Sequence, residues 1–195
     1  MGSNANGDQS RVPAEKLLNV YALVIYIPDP LGRFLDDLRR ELVPGCNPHA
    51  HVSVLPPRPL SVDWPVAGEQ VRECAGEWAT FEVRLGEIRM FPVTNVIYIE
   101  LAHGMDELRR MHAMVNNRAL EYAEPFQYHP HITLAQELDP DQVEEVDRLA
   151  QRRWAEFAGP RSFRAEHATF VRNTVGNRWI DLAEFPLNAL PLRAQ

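Results

Sequence analysis

His49-Ala50-His51-Val52-Ser53-Val54 and His129-Pro130-His131-Ile132-Thr133-Leu134 are two versions of one pattern, H-x-H-[VI]-[ST]-[VL], set 80 residues apart. Four of the chain's seven histidines fall inside them, which makes accidental clustering a poor account. Side chains alternate between faces along a strand, so His49, His51 and Ser53 share one side and Val52 and Val54 the other. The same alternation sets His129, His131 and Thr133 against Ile132 and Leu134. The aliphatic positions can anchor each strand on a helix layer while imidazole and hydroxyl project the opposite way. A repeat at this distance implies two similar lobes, each giving one strand to a shared surface.

Outward from the repeat, strand and helix patterns alternate. Leu17 to Ile27 (LLNVYALVIYI) is dense in aliphatic, β-branched and aromatic residues, as a central strand buried on both faces requires. Asp29-Pro30 reads as a helix start, with Asp29 as cap and Pro30 in the first turn. Leu31, Phe34, Leu35, Leu38 and Leu42 then form one apolar stripe, and Pro44-Gly45 ends the helix. A second helix is expected over Val66 to Trp78, strands over Phe81 to Met90 and Val96 to Leu101, and a third helix from Met105 to Tyr122. Asp139-Pro140-Asp141-Gln142 repeats the helix-start signature, with Gln142 placed to close a capping box before a helix running towards Phe157. Phe163 to Arg172 and Arg178 to Phe185 read as a terminal hairpin. Adjacent strand pairs predict an α+β chain with mostly antiparallel sheets rather than a doubly wound parallel one. Residues 1–14 read as a flexible tail, and 15–195 as a single bilobal domain.

Composition narrows the partners. The 195 residues carry 20 Lys plus Arg against 27 Asp plus Glu, a net charge of −7. Such a surface is unsuited to gripping long duplex nucleic acid, whereas a short or monomeric phosphate substrate needs only a local cluster of positive groups. Cys46 and Cys74 are too few for a disulfide framework and read as free thiols of a reducing compartment. The amino terminus lacks the apolar core of a signal peptide, and no apolar run is long enough for a bilayer. The expectation is a cytoplasmic monomer without membrane contact. No Gly-rich phosphate loop or dinucleotide fingerprint is present.

Two imidazoles and two hydroxyls facing one another suit phosphoester cleavage. A neutral histidine can take the proton of the attacking oxygen while a protonated one supplies the leaving oxygen. In-line displacement wants these on opposite sides of phosphorus, which a pseudo-twofold pair of lobes provides. Hydroxyls two residues further on can donate to phosphoryl oxygens as charge develops there. Tyr21 and Tyr98 could stack a nucleobase, and Arg58 and Arg172 could neutralise phosphate, although core packing and solvated surface are the ordinary fates of such residues. His49 and His129 are expected to flank the site or face solvent. His103, His112 and His167 suggest no role.

The tetrads His51 to Val54 and His131 to Leu134 resemble the paired signatures of the two-histidine (2H) phosphoesterase superfamily, within it the bacterial 2′,5′ RNA ligase-like branch. The resemblance takes in Tyr21-Ala22-Leu23-Val24 with Asp29-Pro30, the strand Val96 to Leu101 and the terminal hairpin. It implies a bilobal fold of two pseudo-symmetric sheets with outer helices and a central cleft. It also implies cofactor-free, metal-independent cleavage or transesterification of phosphodiesters, typically cyclic nucleotides or RNA ends carrying 2′,3′-cyclic phosphate. His51 and His131 become the acid–base pair, and Ser53 and Thr133 the phosphate-binding hydroxyls. Ala135-Gln136 stands where many relatives have a basic residue, and Pro56-Pro57-Arg58-Pro59 replaces an aromatic-rich segment; Arg58 could restore the missing charge. Two other readings compete: a nucleotide- or RNA-end-binding module without turnover, and a zinc protein using all four histidines of the repeat.

Overall fold

The elements follow in the order β1 (Leu17–Tyr26), α1 (Leu31–Leu42), β2 (His51–Arg58), α2 (Trp64–Ala75), β3 (Phe81–Met90), β4 (Ile97–His103), α3 (Met105–Val115), β5 (His131–Ala135), α4 (Val143–Glu156), β6 (Ser162–Ala165), β7 (His167–Thr174) and β8 (Trp179–Pro186). This computed structural model describes residues 16–188, so the tail expected over residues 1–14 lies outside the described residues. The strands make two antiparallel sheets, β2-β1-β7-β8 and β5-β4-β3-β6. The α+β, bilobal architecture read from the repeat is the observed one. β1 lies inside its sheet with Tyr21 to Ile25 all buried, as its unbroken apolar run requires.

Sheet one is assembled from both ends of the chain, whereas sheet two is continuous from β3 to β6. The crossing back falls at Glu166, which divides the expected strand Phe163 to Arg172 into β6 on one sheet and β7 on the other. The helices trade places. α1 follows a strand of sheet one yet packs on β5 and α4, and α3 follows a strand of sheet two yet packs on β2 and α2. One continuous apolar core results, with Leu35, Leu38 and Leu42 of α1, Leu108, Met111 and Val115 of α3, and the inward residues of both sheets.

Local chemistry explains the departures from pattern. Asp29 caps α1 with Oδ1, which accepts the Arg33 N–H at 3.1 Å, although the helix begins only at Leu31. The capping box expected at Gln142 is not made: Asp139 to Gln142 forms a turn, and α4 begins at Val143 without a side-chain cap. α3 stops at Val115 instead of Tyr122. The Asn117 side chain donates to the Met114 carbonyl at 2.7 Å, the Asn116 carboxamide oxygen accepts the Tyr122 N–H at 3.0 Å, and Arg118 turns to a φ of 48°. Asparagine side chains compete in this way with the helix ladder. Both cysteines are free thiols.

Gly32 marks the tightest backbone approach, because a Cβ there would sit 2.1 Å from the Ile27 carbonyl oxygen. Gly32→Ala should push the start of α1 away from the Ile27 carbonyl and destabilise the fold by about 1–3 kcal/mol, read from the urea midpoint.

Candidate active site

β2 and β5 are edge strands of their respective sheets, and they pack against each other. Residues directly opposite in an antiparallel pair share a face. His51 lies opposite Tyr26 and Ser53 opposite Val24, while Val52, Val54 and Leu55 are buried in the core. On the second sheet His131 lies opposite Glu100 and Thr133 opposite Tyr98, with Ile132 and Leu134 in the core. The alternation read from the repeat therefore holds in both lobes. His51, Ser53, His131 and Thr133 stand on the non-core faces beside the seam between the sheets.

The two histidines are anchored in the same way. Nδ1 of His51 is 2.6 Å from the His49 carbonyl oxygen, and Nδ1 of His131 is 2.6 Å from the His129 carbonyl oxygen. A carbonyl can only accept, so each Nδ1 carries the proton and each Nε2 is the nitrogen left for chemistry. The first histidine of each H-x-H thus serves through its backbone. Its ring does something else: His49 is exposed and stacks on Tyr26 at 3.7 Å, while His129 lies edge-on to Phe91 and Tyr98. Among the described residues neither the Ser53 nor the Thr133 hydroxyl is engaged by another side chain or backbone group. No three His, Cys, Asp or Glu side chains among the described residues converge as a metal site would need.

Burial dominates the electrostatics. Desolvation pulls His51 down to about 4; the positive charges of Arg39, His49 and His131 act in the same direction, and the His49 carbonyl opposes them. His131 is also lowered, by burial first, against the raising effect of the His129 carbonyl. Both rings are neutral at pH 7.

Tyr98 is brought into this site, its ring centroid 5.2 Å from that of His131. Tyr21, Arg58 and Arg172 are not. Tyr21 lies opposite both arginines on the other face of sheet one, with its ring stacked on Phe170. Arg172 lies over that ring at 5.1 Å and donates from Nε to the Leu18 carbonyl. Arg58 is buried, and its guanidinium meets Glu124, Asn116 and the Leu120 carbonyl. The substrate contacts expected of these three residues have no geometric support.

Sequence reasoning passed over several neighbours. Phe91 stacks on Tyr98 at 4.1 Å and meets His131 edge-on at 5.0 Å. Tyr128 donates its hydroxyl to the Ser53 carbonyl at 2.7 Å and stacks on His112, which in turn lies 2.9 Å from the Val54 carbonyl. Tyr128 from the connection before β5 and His112 from α3 thus brace β2, so His112 does have a place. Only the facing of Tyr26 and Tyr98 could have been guessed, by pairing the tetrad strands with their neighbours.

Two lobes, each presenting an anchored imidazole and a hydroxyl from one edge strand, define a two-histidine phosphoesterase cleft. The model of the 2′-5′ RNA ligase superfamily matches residues 27–177, and the chain belongs to that family. The fold agrees with solved structures. Escherichia coli LigT complexed with 3′-AMP superposes with a TM-score of 0.60 at 14% identity, covering 89% of this chain and 99% of that one. TT0787 of Thermus thermophilus gives 0.59 at 19% identity, covering 86% and 97%. A curated protein of Oceanobacillus iheyensis named as a phosphoesterase is 28% identical over 79 residues, 40% of this chain and 46% of that protein. The match thus spans about half the length of that curated relative. No helix among the described residues is long and apolar enough to cross a membrane.

Proposed function

We propose that this protein is a metal-independent phosphodiesterase acting on 2′,3′-cyclic phosphates of nucleotides or of RNA ends. The observation that supports this reading is the matched pair of Nδ1–carbonyl anchors at 2.6 Å, which leaves Nε2 of both histidines available for proton transfer. His51, the more strongly desolvated, acts as base and takes a proton from the attacking water. The new phosphorus–oxygen bond forms as the bond to one ribose oxygen breaks, and protonated His131 supplies that oxygen's proton. Ser53 and Thr133 donate to the non-bridging oxygens. With a ribose hydroxyl in place of water as the attacking group, the same steps join RNA ends, and run backwards they reclose the cyclic phosphate and release that hydroxyl. Binding of small nucleotides by LigT, whose solved complexes include 3′-AMP and ATP, supports this substrate class.

The reaction needs one neutral and one protonated imidazole, and both are depressed below the usual 6.5. The free-enzyme profile, kcat/KM against pH, should therefore peak on the acid side of neutrality and fall about tenfold per unit above it. Hydrolysis of 2′,3′-cyclic nucleotides in excess chelator, followed from pH 4 to 9, checks this. A profile flat to pH 8, or turnover abolished by chelator, would overturn the mechanism.

A further inference from the structure

The non-core face of sheet one carries more than His51 and Ser53. Ala22, Val24 and Val171 form a second buried apolar cluster, with Tyr26 and Trp179 partly buried against it. The registers join this cluster to the catalytic strand: Val24 lies opposite Ser53 and Thr169, Ala22 opposite Val171, and Val171 opposite Asp181. Neighbouring strands lie about 4.8 Å apart, so the Val24–Val171 floor begins roughly 5–10 Å from His51 and Ser53. That is the scale of a ribose separating its phosphate from its base.

The groups around this floor are chosen for a base and unsuited to a phosphate. Trp179, half-buried, lies over small side chains, and the Tyr26 ring, stacked on His49, walls the floor on the other side. Thr169, buried on the floor, has a hydroxyl engaged by no other protein group among the described residues. Asp181 is exposed at the rim and accepts the Tyr26 hydroxyl at 2.6 Å through Oδ1, leaving Oδ2 open. Glu184, 3.8 Å from His167, adds a second carboxylate. A carboxylate only accepts, so it rewards a base edge rich in N–H groups and repels an anion.

We propose that this face is a nucleobase subsite, with Trp179 as the stacking group, Tyr26 as its wall and Asp181 as the acceptor that favours amino-bearing bases, guanine first and uracil last. It rests on the proposed chemistry only for the position of the phosphate. Guanine presents adjacent N–H donors on one edge, whereas uracil presents one N–H between two acceptors.

The test is binding, with no turnover required. Inorganic phosphate and the four nucleoside 3′-monophosphates would be titrated into the full chain by calorimetry, with tryptophan fluorescence in parallel. Wild type should bind 3′-GMP more tightly than 3′-UMP and show quenching that Trp179→Phe removes while still binding. Trp179→Ala should weaken every nucleotide about five- to hundredfold and leave inorganic phosphate unchanged, the factor that one stacked base represents. Asp181→Asn should narrow the preference for 3′-GMP. Equal affinity for phosphate and all four nucleotides, or quenching that persists in Trp179→Phe, would overturn the subsite while leaving the two-histidine chemistry standing. Binding of neither phosphate nor nucleotide would overturn both.

Discussion

His131→Ala should lower kcat on a 2′,3′-cyclic nucleotide by about two to four orders of magnitude, and His51→Ala by a similar factor, since general acid–base catalysis contributes about 10²–10⁴. The double variant should lose little more than either single one, because the two imidazoles act as a unit on one proton cycle. Neither change should unfold the protein, since both rings stand on the non-core faces and their anchors are backbone carbonyls that remain. His51→Ala should even relieve an acid sensitivity. With a folded-state pKa near 4 against 6.5 when unfolded, the unfolded chain binds the extra proton between those values. Wild-type stability thus declines as pH falls from 6.5 towards 4, and the variant should decline less. Ser53→Ala and Thr133→Ala should show smaller losses, carried in kcat. Initial rates with thermal melts at pH 7 and pH 5 check all of this. Turnover persisting in both single histidine variants would remove the histidines from the mechanism.

Arg58→Met should cost about 3–5 kcal/mol of stability, the expected penalty for stripping one partner from a buried ion pair. The side chains of Arg58 and Glu124 are only 1% and 12% exposed and meet at 2.5 Å. Nε donates to the Pro56 carbonyl, and Nη1 to Asn116 and to the Leu120 carbonyl. The guanidinium therefore ties β2 to the connection that leads from α3 to β5, and so holds one tetrad relative to the other. Glu124→Gln should be milder, because the amide oxygen still accepts. A phosphate-binding role would reverse the signature: kcat/KM would collapse with the urea midpoint unmoved. Denaturation curves beside kinetics for Arg58→Met and Arg58→Lys separate the two.

These cases show what could be read before the fold was known. The tetrads were legible because alternation is local, and a strand of five residues already states which side chains travel together. The placement of Tyr21, Arg58 and Arg172 was not, because it depends on pairing. Register shifts between Tyr21 and Val24 break the simple count along β1 and β2, and Pro56-Pro57 gave no sign that Arg58 would turn inward. Glu166 looks like one more exposed residue of a strand, yet the sheet changes there. Nor does composition announce that a carbonyl two residues upstream will set a tautomer.

The exchange of helices between sheets has a mechanical consequence. A segment cut from β3 to β6 would retain a complete sheet yet lose α1 from its surface, and would carry α3 stripped of β2 and α2, on which most of it packs. The two halves should not be separable as independent units, and two separately made fragments should recover structure only when mixed. The same interlock ties the two tetrad strands into shared packing, so a change that loosens α1 or α3 should disturb the spacing of the two imidazoles as well as the fold.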